Sequence, residues 1–155
     1  MPKIYYIGDK MKFSKILIAA LLLICTIGIV SAAALPEIQV PNTFKDLGDG
    51  SYSNEADGID IDIYNDTDLK DYFTNDTAVK HTVAAGKINN TYTFTDGVND
   101  ISGINELVTI NGEQFVIEIS TQGNFTDSQL DKFYNALEEV NKLNNLTPED
   151  PSTLK

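Results

Sequence analysis

Two residues of this chain have side chains and positions that could support acid or base chemistry, Glu106 and His81. Glu106 is the charged member of an otherwise apolar alternation between Ile104 and Ile110. A carboxyl buried on such a face has a raised pKa or a lysine partner, and paired carboxylates can cleave glycosidic bonds. The favoured alternative places Glu106 at a sheet edge, or in a bulge that turns its side chain outwards.

His81 is the sole histidine, and alternation with a period of two puts it on the strand face of Val79 and Val83. The favoured role is therefore a partly buried, hydrogen-bonded side chain. Zinc sites use several histidine or cysteine ligands, and this chain has one of each. The G-x-S-x-G motif of serine hydrolases is absent from the sequence. Glu106 and His81 stay the catalytic candidates, and a non-enzymatic protein is favoured.

The densest acidic run contains Asp57, Asp60, Asp62, Asp66 and Asp68. Calcium requires several oxygen ligands on a loop that curls around the ion, and the last four aspartates are the metal candidates. The EF-hand spacing is broken, because a tyrosine occupies the third ligand position. A solvated strand face is the favoured interpretation, so no cofactor is predicted and calcium is the alternative.

Five N-x-T sequons make surface N-glycosylation a further expectation, at Asn65, Asn75, Asn89, Asn124 and Asn145. The alternative is an asparagine- and threonine-rich composition without glycans.

The N-terminus has the three parts of an export signal. Lysines at positions 10, 12 and 15 precede the uncharged run Ile16–Val30, and small residues follow, with Ala32 and Ala34 fitting a cleavage site. The signal is expected to begin at Met11. An uncleaved membrane anchor is the alternative, since about 20 apolar residues span a bilayer. In either case the rest of the chain is predicted to be extracytoplasmic, either secreted or held at the cell surface.

The part after residue 34 has 22 acidic residues and seven lysines, a net charge of −15. Such a charge repels nucleic acid and anionic lipid headgroups, so membrane contact is expected only through the N-terminal segment. Attraction to basic surfaces is the positive expectation. Its length indicates one domain, residues 35–146, with a flexible tail at 147–155.

One hairpin and one helix are the clearest elements. Asn111-Gly112 is the strongest two-residue turn signal, and it predicts that Val108 faces Phe115, Glu106 faces Ile117 and Ile104 faces Ile119. A second hairpin is expected at Asn89-Asn90, between 79–88 and 91–95. Apolar residues at helical spacing follow between 130 and 143, after a capping box formed by Thr126 and Gln129.

Further strands are predicted at 38–40, 51–54 and 59–63, with a short helix at 68–73. The order of elements indicates an α+β fold: an antiparallel β-sheet of five to seven strands with the C-terminal helix packed on one face. The N-terminal signal or anchor helix precedes it.

Short motifs carry two resemblances. Val40-Pro41 with Phe44, the run NGEQFVIEI from Asn111 and the ending LNNLTPED from Leu143 resemble small exported proteins of unknown function in methanogenic archaea. The order of elements is similar to the PsbP/Mog1 sheet-and-helix fold. The first resemblance implies no activity, and the second implies a fold without site residues.

These observations favour an extracytoplasmic, non-enzymatic module that binds an envelope protein or polymer through its acidic face, or forms part of the surface. A small envelope hydrolase that uses carboxylates such as Glu106 is one alternative. A calcium-dependent adhesive domain is the other. The sequence leaves the oligomeric state open.

Overall fold

The computed structural model describes residues 34–65, 68–88 and 90–154. The predicted leader, with the cleavage residue Ala32, lies outside these residues, apart from Ala34. Residues Leu35–Lys155 form one compact unit. Within the described ranges, no helix has the length and apolar character needed to cross a membrane.

The sheet is antiparallel and has seven strands, as the α+β prediction expects, in the order β1-β2-β3-β7-β6-β5-β4. A long helix, α1, follows the last strand, and two 3-10 helices lie at Leu69–Phe73 and Pro151–Thr153. The bounds are β1 Lys45–Gly48, β2 Ser51–Asn54, β3 Ile59–Tyr64, β4 His81–Ala85, β5 Thr91–Asp96, β6 Ile101–Ile110, β7 Glu113–Gln122 and α1 Asp127–Asn144.

The central hairpin β6–β7 has the predicted register. Val108 pairs with Phe115, Glu106 with Ile117, and Ile104 with Ile119. Asn111 and Gly112 have φ angles of 53° and 87°, which are the positive values that a two-residue type I′ turn requires. The turn therefore fixes which side chains of the two central strands share a face.

The second hairpin is confirmed with a longer connection than predicted. β4 ends at Ala85 and β5 begins at Thr91, so that Val83 pairs with Phe94 and Ala85 with Tyr92. The backbone N–H of Gly86 donates to the carbonyl of Thr91, and the N–H of Thr91 donates to Ile88. The connection is thus a loop rather than a two-residue turn, but the predicted sharing of a face by Val83, Tyr92 and Phe94 holds.

Helix α1 packs on one face of the sheet, which we call the helix face. The side chain of Thr126 accepts a hydrogen bond from the Gln129 backbone, and the Gln129 side chain accepts one from the Thr126 backbone, so the predicted capping box is present. Phe133, Leu137 and Val140 are fully buried against the sheet. Each such side chain stabilises the fold by roughly 1.5–3 kcal/mol through burial of apolar surface.

The opposite face, which we call the second face, has its own cover. Leu69, Leu107 and Val116 form a buried cluster with Tyr72 and Leu154 packed against it. Residues 147–154, predicted to be a flexible tail, lie along this face. The Glu149 backbone N–H donates to the Leu107 carbonyl at 2.8 Å, and this bridge adds a short strand-like contact to the sheet.

The N-terminal segment differs from the sequence prediction. Residues 38–40 are not a strand, although Ile38 is 7% exposed and belongs to the core. The Gln39 backbone instead exchanges two hydrogen bonds of 2.7 Å with the Asn144 side chain at the end of α1. β1 forms at Lys45–Gly48, where all four residues are exposed and the apolar pattern gives no signal.

Candidate functional site: an acidic cleft on the second face

The register of the sheet places several polar side chains together on the second face. His81 pairs with Asp96, and Asn105 pairs with Glu118. Gly103, which lies between Phe94 and Ser120 in the register, contributes no side chain. Strands β4 to β7 thus present an acidic and aromatic surface rather than a continuous apolar one.

Residues of the segment 68–80 and of this surface together line an open cleft of about 280 Å³. We call it the acidic cleft. Its apolar walls include Val79, Phe94 and Ile101, and its polar lining includes Asp71, Asp76, His81, Asp96 and Glu118.

Glu118 is the most deeply buried acid of the acidic cleft, with 5% of the residue exposed. Across the described residues, no group donates a hydrogen bond to its carboxyl. Burial, together with the negative charges of Asp62 and Asp96, raises the pKa of Glu118 to about 8. The side chain is therefore largely neutral at pH 7, and a cation in the cleft would favour its ionised form.

Asp96 lies at the end of β5, and its pKa is shifted in the opposite direction to that of Glu118. Partial burial raises the pKa of its carboxyl, but hydrogen bonds from the Asn99 side chain and from the Val98 and Asn99 backbones outweigh that effect. The pKa of Asp96 is accordingly below its ordinary value. These donors engage both carboxylate oxygens at 2.8–3.2 Å, so Asp96 is a fixed negative charge at the cleft wall.

Asp62 extends the acidic surface on the neighbouring strand, where it pairs with Glu118. Burial and the charge of Asp60 raise the pKa of Asp62, and a hydrogen bond from the Ser51 hydroxyl opposes them. Ionisation of either carboxyl, Asp62 or Glu118, therefore disfavours ionisation of the other, so a proton on one of them is favoured.

His81 lies on the second face with Val83, as predicted, and its ring stacks on Phe94 at a centroid distance of 5.7 Å. Its backbone exchanges hydrogen bonds with Asp76 at 2.7 and 3.0 Å. The Nε2 atom is buried without a hydrogen-bond partner among the residues described, although a hydrogen-bonded histidine was the favoured prediction. That polar atom at the cleft needs a partner that the described fold does not supply.

Asn105 is fully buried directly opposite Glu118 in the sheet. Its amide nitrogen donates to the Tyr72 carbonyl at 3.0 Å, while its Oδ1 atom has no donor within the described part of the chain. Two residues that pair directly across β6 and β7 thus have side-chain oxygens without a donor among the described residues.

Glu106 occupies the helix face and does not contribute to the acidic cleft. It is fully buried, so the inward orientation given by the hairpin register is right and the favoured alternative, a sheet edge or an outward-turning bulge, is wrong. Glu106 accepts hydrogen bonds from Asn141 at 2.7 Å and from Thr91 at 3.2 Å. These hydrogen bonds offset part of the cost of burying the Glu106 carboxyl. A substrate, however, cannot reach a carboxyl with no exposed surface.

The metal candidates that the structure describes, Asp60, Asp62 and Asp68, are not part of one metal-binding group. Asp60 and Asp62 share the second face of β3, whereas Asp68 lies at the start of a 3-10 helix and Asp66 lies outside the described residues. No group of three or more acidic, histidine or cysteine side chains suited to a metal ion occurs among residues 34–65, 68–88 and 90–154.

The predicted glycosylation positions differ in accessibility. Asn124 and Asn145 are exposed, and Asn145 has a left-handed backbone at the end of α1. Asn75 is exposed, but its Oδ1 accepts a hydrogen bond from the Val83 backbone at 2.5 Å. Asn65 is partly buried, and Asn89 lies outside the described residues.

Glu118 and Asp96 were not among the sequence candidates. Alternation in β7 puts Glu118 on the face opposite Phe115 and Ile117, and that face was expected to be solvated. The signal that could have identified it is the pairing of Glu118 with Asn105, which follows from the Asn111-Gly112 turn.

Comparisons with protein-family models, with curated proteins and with solved structures found no match to this chain. The resemblances noted in the sequence therefore stay predictions.

Proposed function

We propose that this protein is an extracytoplasmic, non-enzymatic binding module whose acidic cleft receives a lysine side chain of an envelope partner. The observation that carries the proposal is Glu118, a residue with 5% exposure that lines a cleft of about 280 Å³ and whose carboxyl has no hydrogen-bond donor among the described residues. Buried carboxyls are normally hydrogen-bonded, so a missing donor points to a ligand that brings one.

The lining of the acidic cleft matches the two parts of a lysine side chain. Phe94, Val79 and Ile101 offer apolar surface to a methylene stem, while Glu118 and Asp96 face a cationic head. An ammonium supplies three N–H donors and no acceptor, which suits carboxylates and the unpartnered Nε2 of His81. A carboxylate ligand would meet only like charge.

The charge of the whole chain supports a basic partner. The part after residue 34 has a net charge of −15, which attracts cationic surfaces and speeds association with them. The lysine-flanked apolar leader supports a location outside the cytoplasmic membrane. Both properties favour a partner exposed in the cell envelope.

Isothermal titration calorimetry with a matched pair of peptides tests this proposal. We expect N-acetyl-lysine-methylamide to bind the protein, and the same compound with its side-chain amine acetylated not to bind, because acetylation removes the charge. Glu118→Gln is expected to weaken binding about 10- to 100-fold, since hydrogen bonds to charged groups contribute about 1.5–3 kcal/mol.

Glu106→Gln is the matched control, because it makes the same chemical change on the helix face and should leave the affinity unaltered. Equal affinity for the two peptides, or equal loss of binding in the two variants, would contradict the proposed function.

An acid–base hydrolase acting at the same cleft is the second candidate function. The observation in its favour is that Glu118 has a raised pKa and Asp96 a lowered one, the separation that acid–base pairs use. Wild-type protein would then release fragments from isolated envelope polymer, as measured by mass spectrometry, and Glu118→Gln would abolish their release while Glu106→Gln would not. An undegraded polymer after prolonged incubation with wild-type protein would exclude this activity.

A further inference from the structure

We infer that the acidic cleft exchanges a proton for its ligand: Glu118 is neutral when the cleft is empty, its O–H donates to Asn105 Oδ1, and the incoming ammonium displaces that proton. This inference rests on the proposed function and adds its coupling to pH. It makes lysine binding tighter in alkaline surroundings and weaker in acidic ones.

The pairing of Glu118 with Asn105 is the first argument. The two residues lie opposite each other on β6 and β7, and both are buried. The Asn105 amide nitrogen is already used by the Tyr72 carbonyl, so its oxygen is the group that remains. An ionised Glu118 would place an acceptor beside an acceptor, whereas a neutral carboxyl supplies the missing O–H donor.

The charges around Glu118 are the second argument. Acids face Glu118 from β3, β5 and the covering segment, while β6 places Asn105 opposite it and β4 contributes His81, the basic side chain among the described residues that line the cleft. The acids are Asp60 and Asp62 on β3, Asp96 on β5, and Asp71 and Asp76 in the covering segment. Like charges at this density disfavour a further carboxylate in the empty cleft, and an added cation reverses that preference.

The pKa of Glu118 agrees with this geometry, since burial and the charges of Asp62 and Asp96 raise it to about 8. During exchange the O–H bond of Glu118 breaks and the proton passes to the solvent. The ligand keeps its own proton, because an ammonium of ordinary pKa near 10.4 stays charged at neutral pH. The bound pair is then an ammonium and a carboxylate, and the net charge of the protein with its ligand equals that of the empty protein.

Calorimetric titration of the protein with N-acetyl-lysine-methylamide at pH 6.5, in phosphate and in ACES, measures the exchange. The two buffers differ in ionisation enthalpy, so the difference in observed heat gives the number of protons released. We expect close to one proton released per peptide bound. The affinity should also rise about tenfold per pH unit between pH 6 and 8, and then level off.

Two variants identify the source of the proton. His81→Gln should retain the release, whereas residual binding by Glu118→Gln should proceed without it. Buffer-independent heat at undiminished affinity, or loss of the release in His81→Gln, would overturn the inference while leaving the proposed function intact. A complete absence of peptide binding by the wild-type protein would overturn both, and the pH dependence of wild-type affinity tests the inference even if a variant does not fold.

Discussion

Glu106→Gln is expected to raise the free energy of unfolding by on the order of 3 kcal/mol at pH 8, and to leave it nearly unchanged at pH 4. Burial raises the pKa of Glu106 from 4.5 to about 7, although hydrogen bonds from Asn141 and Thr91 oppose the rise. One pKa unit corresponds to about 1.36 kcal/mol, which gives the size of the effect.

The sign follows from comparing the folded and unfolded states. Between pH 4.5 and 7 the unfolded chain has released the Glu106 proton, whereas the folded chain still binds it. Stability from this group is therefore fully present below pH 4.5, falls as the pH rises towards 7, and levels off above that. Glutamine has no proton to lose, so the variant lacks this part of the pH dependence.

Glutamine also fits the hydrogen bonds around this position. Its carbonyl oxygen can accept from Asn141 as Oε1 of Glu106 does, and its amide can donate to the Thr91 hydroxyl, which rotates to accept. The substitution preserves side-chain volume, so no cavity term is expected.

Urea unfolding of wild-type protein and variant at pH values from 4 to 9 provides the measurement. Glu139→Gln is the matched control, since it changes an exposed glutamate on α1 and should shift all points little. If the free energies of unfolding of wild-type protein and Glu106→Gln change with pH in parallel, the pKa of Glu106 is not raised in the folded state.

Short-range signals made the central part of this fold predictable. A two-residue Asn-Gly turn fixes the register of its own hairpin, and a capping box with helical spacing fixes the start and buried face of α1. Both signals lie within about 20 residues of the elements that they specify. The strand β1 lacks such a signal, because its pairing with β2 depends on backbone hydrogen bonds and not on apolar side chains.

The acidic cleft could not be predicted for a related reason. The sequence shows that Glu118 faces away from Phe115 and Ile117, but its burial depends on the segment 68–80, which is distant in the chain. The hairpin register placed the Glu106 side chain on the inward face, which is correct. The free-energy cost of burying a carboxyl nevertheless made an outward orientation the favoured prediction. That cost is offset by Asn141 on α1 and Thr91 on β5, and sequence spacing does not reveal either contact.

Gly103→Ala is expected to be among the most damaging single substitutions in the sheet, with loss of several kcal/mol of stability or failure to fold. A Cβ atom at this position would lie 2.0 Å from the Ile119 carbonyl oxygen and 2.8 Å from the Ser120 Cα. Both are backbone atoms of β7, the strand that pairs with β6 over ten residues. No change of rotamer can relieve such a contact, so the two central strands would have to separate.

Gly58→Ala provides the matched control, because it adds the same methyl group where nothing lies within 4 Å and where only the positive φ of 65° opposes a side chain. A left-handed residue of this kind costs about 1–2 kcal/mol. Thermal unfolding by circular dichroism should therefore give a modestly lowered Tm for Gly58→Ala, and a much lower Tm or no cooperative transition for Gly103→Ala. Equal Tm values for the two variants would mean that β6 and β7 can move apart at Gly103, and that the close approach of their backbones does not hold the floor of the sheet beneath the acidic cleft.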